Sequence, residues 1–207
     1  MAKRALVIAH CTKAKRVDWA KVREALAAAG LPIPGMDLDR EEEYKRALAE
    51  FVKPAEEMYG GSFYAARALA ERLRGCGLET SLYVISARYG LIPGRKPVVP
   101  YEATLSGMGR DEIRAWAEAR GVPQAALELA EKYDVVALLL TRPYAEALGP
   151  ALAQLLGRDD VYAVLPAALA KGRANVVVSK GLFARRRQVE ELAEMICSRY
   201  GKYIAGL

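Results

Sequence analysis

Ala5-Leu6-Val7-Ile8-Ala9 runs without a break into His10-Cys11-Thr12. A short apolar run with β-branched members that stops at a polar turn reads as a buried strand of a parallel sheet. The pattern returns at Thr80 to Ser86, Val135 to Leu140, Val161 to Leu165 and Asn175 to Ser179. Helical segments lie between these runs. Asp18 caps a helix through Ala29, with Trp19, Val22, Leu26 and Ala29 on one face and Gly30 as its stop. Asp39 to Phe51 reads as a charged helix that Pro54 kinks or ends, and Ser62 as the cap of a helix from Phe63 to Arg74. Further helices are expected over Asp111 to Arg120, Pro123 to Tyr133, Thr141 to Leu156 and Phe183 to Tyr200, the last with Val189, Leu192, Ala193 and Ile196 on its apolar face. Strands alternating with helices predict an α/β fold, a mainly parallel sheet with helices on both faces. Ala87 to Gly109, rich in Pro and Gly, reads as one long loop too irregular for a regular element, and such loops are functional or mobile.

The chain has 207 residues, 53% of them hydrophobic and 27% charged. That balance excludes a disordered chain and fits one α/β domain over residues 1–207. No apolar run approaches the roughly 18 to 20 residues a bilayer requires. Met1-Ala2-Lys3-Arg4 leads straight into a strand, not a signal-peptide core, so a cytoplasmic protein with no membrane partner is expected. Cys11, Cys76 and Cys197 form no CxxC pair and His10 is the single histidine, so no metal is expected, and the sequence names no cofactor. One Asn (Asn175) and three Gln (Gln124, Gln154, Gln188) among many Lys, Arg and Glu match a thermophile's composition. An intracellular disulfide is permitted there, which leaves Cys76 and Cys197 either paired or as two buried thiols. Thirty-one basic against 25 acidic residues give a net charge of +6. That favours a nucleic acid or a nucleotide as partner, although a Lys-rich thermophile carries such charge anyway.

In open α/β sheets, sites form beyond the carboxyl ends of the strands. His10 to Lys15, Ser86 to Leu91 and Thr141 to Tyr144 occupy such positions. Cys11 is a candidate nucleophile whose thiolate Lys13 and Lys15 would favour, against the alternative of a small core residue. Lys15 is a candidate catalytic group or anion ligand, and Thr12 and Lys13 share its turn. Ser62 opens a helix whose free N–H groups suit an anion. Arg88 either grips a phosphate or pairs with Glu102 within the long loop. Tyr89 and Tyr101 either stack on a base or anchor their own loop, and Tyr59 and Ser86 complete the polar set. His10 reads as a hydrogen-bonded strand end. Cys11, Ser62 and Ser86 are expected to line one cavity. The basic run from Lys180 to Lys202, with Arg185, Arg186, Arg187 and Arg199, is either a phosphate-backbone contact or a solvated face shared with Glu190, Glu191 and Glu194.

Four motifs occur in order: Cys11-Thr12-x-x-Lys15; Met58-Tyr59-Gly60-Gly61-Ser62-Phe63-Tyr64 with Arg67; Ile85-Ser86-Ala87-Arg88-Tyr89-Gly90-Leu91-Ile92-Pro93; and Val99-Pro100-Tyr101-Glu102-x-x-Leu105. Together they resemble the family of unassigned proteins related to the YaaA peroxide-stress proteins, over roughly residues 5 to 110. That resemblance implies a nucleic-acid-binding or stress-response role. The chain is more distantly similar to the core domain of archaeosine synthase, whose Cys-x-x-x-Lys motif followed by Ser and His acts on a cyano-deazaguanine base in tRNA. Cys11, Lys15 and Ser62 match that pattern, while Tyr64 and Ala65 stand where its His would follow. This second similarity implies an enzyme acting on a nucleobase or nucleotide.

Overall fold

The computed structural model describes residues 2–170, 172–181 and 185–201. Its strands are β1 (Arg4–His10), β2 (Lys53–Pro54), β3 (Glu79–Ser86), β4 (Gly90–Pro93), β5 (Pro97–Val98), β6 (Val135–Leu139), β7 (Val161–Leu165) and β8 (Val176–Val178). The helices are α1 (Trp19–Ala28), α2 (Glu41–Ala47), α3 (Ala55–Met58), α4 (Tyr64–Gly75), α5 (Arg110–Ala119), α6 (Val122–Ala130), α7 (Arg142–Glu146), α8 (Pro150–Leu156), α9 (Ala167–Ala170) and α10 (Arg185–Tyr200). This is the α/β architecture read from the sequence.

One six-stranded sheet runs β4-β3-β1-β6-β7-β8, all parallel except β4. β1 is apolar throughout because β3 and β6 flank it and helices cover it; Ala5 to Ala9 are buried. The chain leaves β1 toward β3 and later adds β6, β7 and β8 on the other side, so the order reverses between β1 and β6. Crossovers of this kind are right-handed, which puts α4, joining β1 to β3, and α8, joining β6 to β7, on opposite faces. α10 packs on α4, and α6 packs on α8. Cys76, at the end of α4, is disulfide-bonded to Cys197 in the last turn of α10, with Cα atoms 5.9 Å apart. A smaller apolar cluster of Val22, Leu26, Leu31, Tyr44, Leu48 and Val99 holds α1 and α2 against the loop after β5.

Local chemistry explains where the elements depart from the reading above. Asp18 caps α1 as expected, its Oδ1 accepting from the Ala20 N–H at 3.0 Å. Ser62 does not cap α4: it sits inside a 3-10 turn, Gly61–Phe63, and makes no capping bond. The helix expected through Phe51 ends at Ala47 and gives way to a 3-10 turn over Ala49–Phe51. Pro54, expected to end a helix, lies in β2 against β5. The stretch after Ser86, expected to be irregular, contains two short strands. β4 turns back on β3 as an antiparallel edge, and its sequence Gly90-Leu91-Ile92-Pro93, bounded by Gly and Pro, carries no polar–apolar alternation to mark it. The helix expected from Thr141 to Leu156 is broken into α7 and α8 by Gly149, at φ 52°, and Pro150. For the last helix, Phe183 lies outside the described residues, as does Lys202 of the basic run.

Candidate functional site

The turn after β1 is zipped to the Tyr-Gly-Gly segment. The Gly60 N–H donates to the Ala14 carbonyl at 2.9 Å, and the Arg16 N–H to the Met58 carbonyl at 2.8 Å. The Thr12 hydroxyl points between the Ala14 and Gly60 carbonyls, 3.0 Å from each. A Cβ on Gly60 would lie 3.3 Å from Arg16 Cγ, a tight fit, and Gly61 holds φ at +53°, the conformation that calls for glycine. It carries Lys15 inward, where the side chain is only 8% exposed.

The Lys15 Nζ donates to the Thr12 carbonyl at 2.6 Å. It also stands 4.4 Å from the centre of the Tyr101 ring and 5.4 Å from that of Tyr59. Aromatic faces attract the ammonium, but among the described residues no carboxylate touches it, so burial dominates and lowers its pKa to about 8. Behind it, the Tyr59 and Tyr101 hydroxyls are 2.9 Å apart and Ser86 Oγ lies 2.8 Å from that of Tyr101. All three are fully buried. Burial, with the Cys11 sulfur nearby, pushes both phenol pKa values up and keeps them protonated.

Cys11 is 2% exposed. Its sulfur accepts from the Ala87 N–H at 3.3 Å and lies 3.2 Å from the Tyr144 hydroxyl, which itself accepts from the Leu105 N–H at 3.4 Å. The His10 ring stacks on Tyr144, 4.6 Å between centres. His10 Nδ1 lies 2.8 Å from the Cys11 carbonyl, which only accepts, so Nδ1 carries the hydrogen and Nε2 is left as an acceptor. Burial above all, and then Arg185, lower the His10 pKa to about 4, so the ring is neutral near pH 7. Cys11, Lys15, Tyr59, Ser86 and Tyr101 therefore converge, and Tyr144 from the third polar segment joins them.

Other candidates are placed differently. Arg88 neither faces an open pocket nor pairs with Glu102. It is fully buried, and its guanidinium bonds Glu41 at 2.7 Å, the Gly35 carbonyl at 2.7 Å and the Asp37 carbonyl. Tyr89 adds its hydroxyl to the same carboxylate, 2.9 Å away, so it anchors the loop. Removing one member of such a pair strands the other. Arg88→Ala should cost about 3 to 5 kcal/mol of stability, measured by denaturant unfolding. Arg88→Ala with Glu41→Ala should cost less than the sum of the single changes; strict additivity would deny the coupling.

Glu102 instead meets Arg23 at 3.5 Å and, with Lys13, Lys15, Trp19, Met36, Ala103 and Thr104, lines a cleft of about 510 Å³. Arg88 and Arg120, which donates to the Met36 carbonyl, fix the loop that forms one wall. Ser62 lies elsewhere, in a hollow with His10, Thr12 and Arg185. Cys11, Ser62 and Ser86 consequently do not line one cavity: Cys11 and Ser86 are sealed beneath the surface, and Ser62 opens beside them. Three contributors were not singled out from the sequence: Trp19 was read as a core position, Met36 carried no signal, and Tyr144 was visible only as part of its segment. Among the described residues no cluster suited to a metal occurs.

Fold and site together define a doubly wound α/β protein with a buried cysteine–tyrosine network behind a lysine-lined cleft. The chain belongs to DUF6884, a family of unknown function, whose model matches residues 46–161, over half of its length. The match includes Tyr59, Ser86, Tyr101 and Tyr144 but not Cys11 or Lys15. No curated protein and no solved structure matches the chain. No described helix is long and apolar enough to cross a membrane.

Proposed function

We propose that this protein is an enzyme acting on a nucleobase or nucleotide held in the cleft beside Lys15. The observation that carries the reading is the convergence of three sequence motifs on one lysine. A pKa of about 8 lets Lys15 both hold and release a proton near neutral pH, which suits a general acid–base group. Trp19 offers a partly exposed aromatic face for a base, Glu102 an acceptor for its N–H groups, and Lys13 a cation for a phosphate. Cys11 stands behind this wall as the nearby sulfur. The alternative is a non-enzymatic nucleic-acid binder using the arginines that open α10. Against it, Arg186 meets Glu190 at 3.4 Å, and the same carboxylate meets Arg72 at 3.4 Å, which reduces the free positive charge.

Free bases, nucleosides and nucleoside monophosphates titrated calorimetrically, then recovered for mass spectrometry, test the reading. At least one should bind saturably and change mass in wild-type protein. Trp19→Ala should weaken it roughly tenfold or more through lost stacking, and Lys15→Met should stop the mass change. Absence of binding, or binding indifferent to both substitutions, would overturn the proposal. Binding without conversion would leave the non-enzymatic reading. In that case RNA affinity should fall steeply with salt, and replacing Arg185, Arg186 and Arg187 by Ala should flatten the slope.

A further inference from the structure

A second recess lies across the β1 turn from the cleft, at the carboxyl edge of the sheet where the strand order reverses. Two adjoining hollows form it and share Ala65, Leu139 and Arg185. One is bounded by His10, Thr12 and Ser62 and by the start of α4; the other by Ser179 and by Gln188 of α10. None of the residues lining the first cleft takes part.

Two observations are left without an internal explanation. Gln188 is 4% exposed; its Nε2 donates to the Val178 carbonyl at 2.7 Å, yet its Oε1 is buried with no hydrogen-bond partner among the described residues. A buried amide oxygen left bare costs about 1 to 3 kcal/mol, so a donor other than the described residues is called for. Arg185, half-buried, makes no ion pair with a carboxylate among the described residues, in contrast to Arg72, Arg88, Arg158 and Arg186. A guanidinium with no carboxylate among the described residues, lining the same hollow as the positive end of a twelve-residue helix, suits a doubly charged anion. Nearby His10 stays neutral and presents an acceptor, as Gln188 does.

We propose that this recess binds a phosphate monoester, its phosphate held by Arg185, the Ser62 hydroxyl and the start of α4, with an adjacent hydroxyl of the ligand donating to Gln188 Oε1. Each hollow offers only about 10 Å³, the room of a single water or hydroxyl. The phosphate therefore sits at the open mouth and one hydroxyl enters. The proposal is independent of the reading of the first cleft.

Ribose 5-phosphate, inorganic phosphate and ribose, each titrated calorimetrically into the full chain, provide the test. Ribose 5-phosphate should bind saturably and more tightly than inorganic phosphate, and ribose should not bind. Arg185→Gln should weaken both anions by roughly tenfold or more. Gln188→Leu should weaken ribose 5-phosphate while leaving inorganic phosphate unchanged. Trp19→Ala, in the other cleft, should leave all three titrations as they were, which separates this site from that one. Arg185 is not fully buried, so its variant should fold, and an unaltered melting temperature would verify it. Absence of saturable binding by either anion, or equal binding to Arg185→Gln, would overturn the proposal and leave Gln188 satisfied by water. Equal loss of both anions in Gln188→Leu would also overturn it.

Discussion

Cyanate offered to the native protein at pH 7 should carbamylate Lys15 ahead of the other lysines, because only the neutral amine reacts. With its pKa lowered from 10.5 to about 8, Lys15 has roughly 300 times the neutral fraction of an ordinary lysine at that pH. Peptide mapping against time would read the ratio, which should hold below about pH 8 and narrow above it, as the neutral fraction of Lys15 saturates while that of the others continues to climb. The cleft supplies access, since Lys15 lines it. Labelling of Lys15 no faster than of Lys13 or Lys21 would refute the shift. The same shift has a consequence for stability. The unfolded chain binds this proton more tightly than the folded one, so a penalty is fully present below about pH 8 and is relieved as pH rises toward 10.5. Stability should therefore gain a rising contribution across that window, and Lys15→Met should remove it.

Reduction of the disulfide should have the largest effect on stability. The bond between Cys76 and Cys197 spans 121 positions, and in the chain-entropy model a loop of that size is worth about 5 kcal/mol. For a chain of this length that corresponds to a fall in Tm of roughly 10 to 20 °C on reduction. Scanning calorimetry with and without a phosphine reductant would measure it, with Cys76→Ser plus Cys197→Ser as the genetic equivalent. Thiol counting checks the premise directly. The unreduced protein should yield one thiol, Cys11, and only after denaturation, because Cys11 is buried. Three thiols from unreduced protein would remove the crosslink and the prediction with it.

The disulfide also illustrates how far each level of description reaches. Spacing alone left Cys76 and Cys197 either paired or free. Their meeting depends on α10 returning to pack along α4, a contact between segments more than a hundred residues apart. Local pattern was enough wherever the cause was local. The uninterrupted apolar runs are strands because a central parallel strand is buried on both faces, and Asp18 caps α1 because its side chain reaches N–H groups two and three positions on. The position of Cys11 and Lys15 at the sheet's carboxyl edge was likewise legible, since a polar turn after a parallel strand must open there.

Partner choice was not legible. Arg88 carried the residue type of a phosphate ligand, but its guanidinium is spent on Glu41 and two carbonyls brought in from a distant loop. Trp19 had the spacing of a core residue on α1, yet it lines the cleft because two separate loops, one bearing Met36 and one bearing Glu102, come together beside it. Ser62 stood where a cap belongs, but the preceding glycines wind into a 3-10 turn that leaves it uncapping and open to the second recess. Tyr144 reaches Cys11 only because β6 is laid beside β1. Sequence periodicity records which face of an element is buried, and so it determined the α/β class and the edge where the polar turns gather. Which polar atoms meet there depends on loops and on segments distant in the chain, and only the tertiary structure decided it.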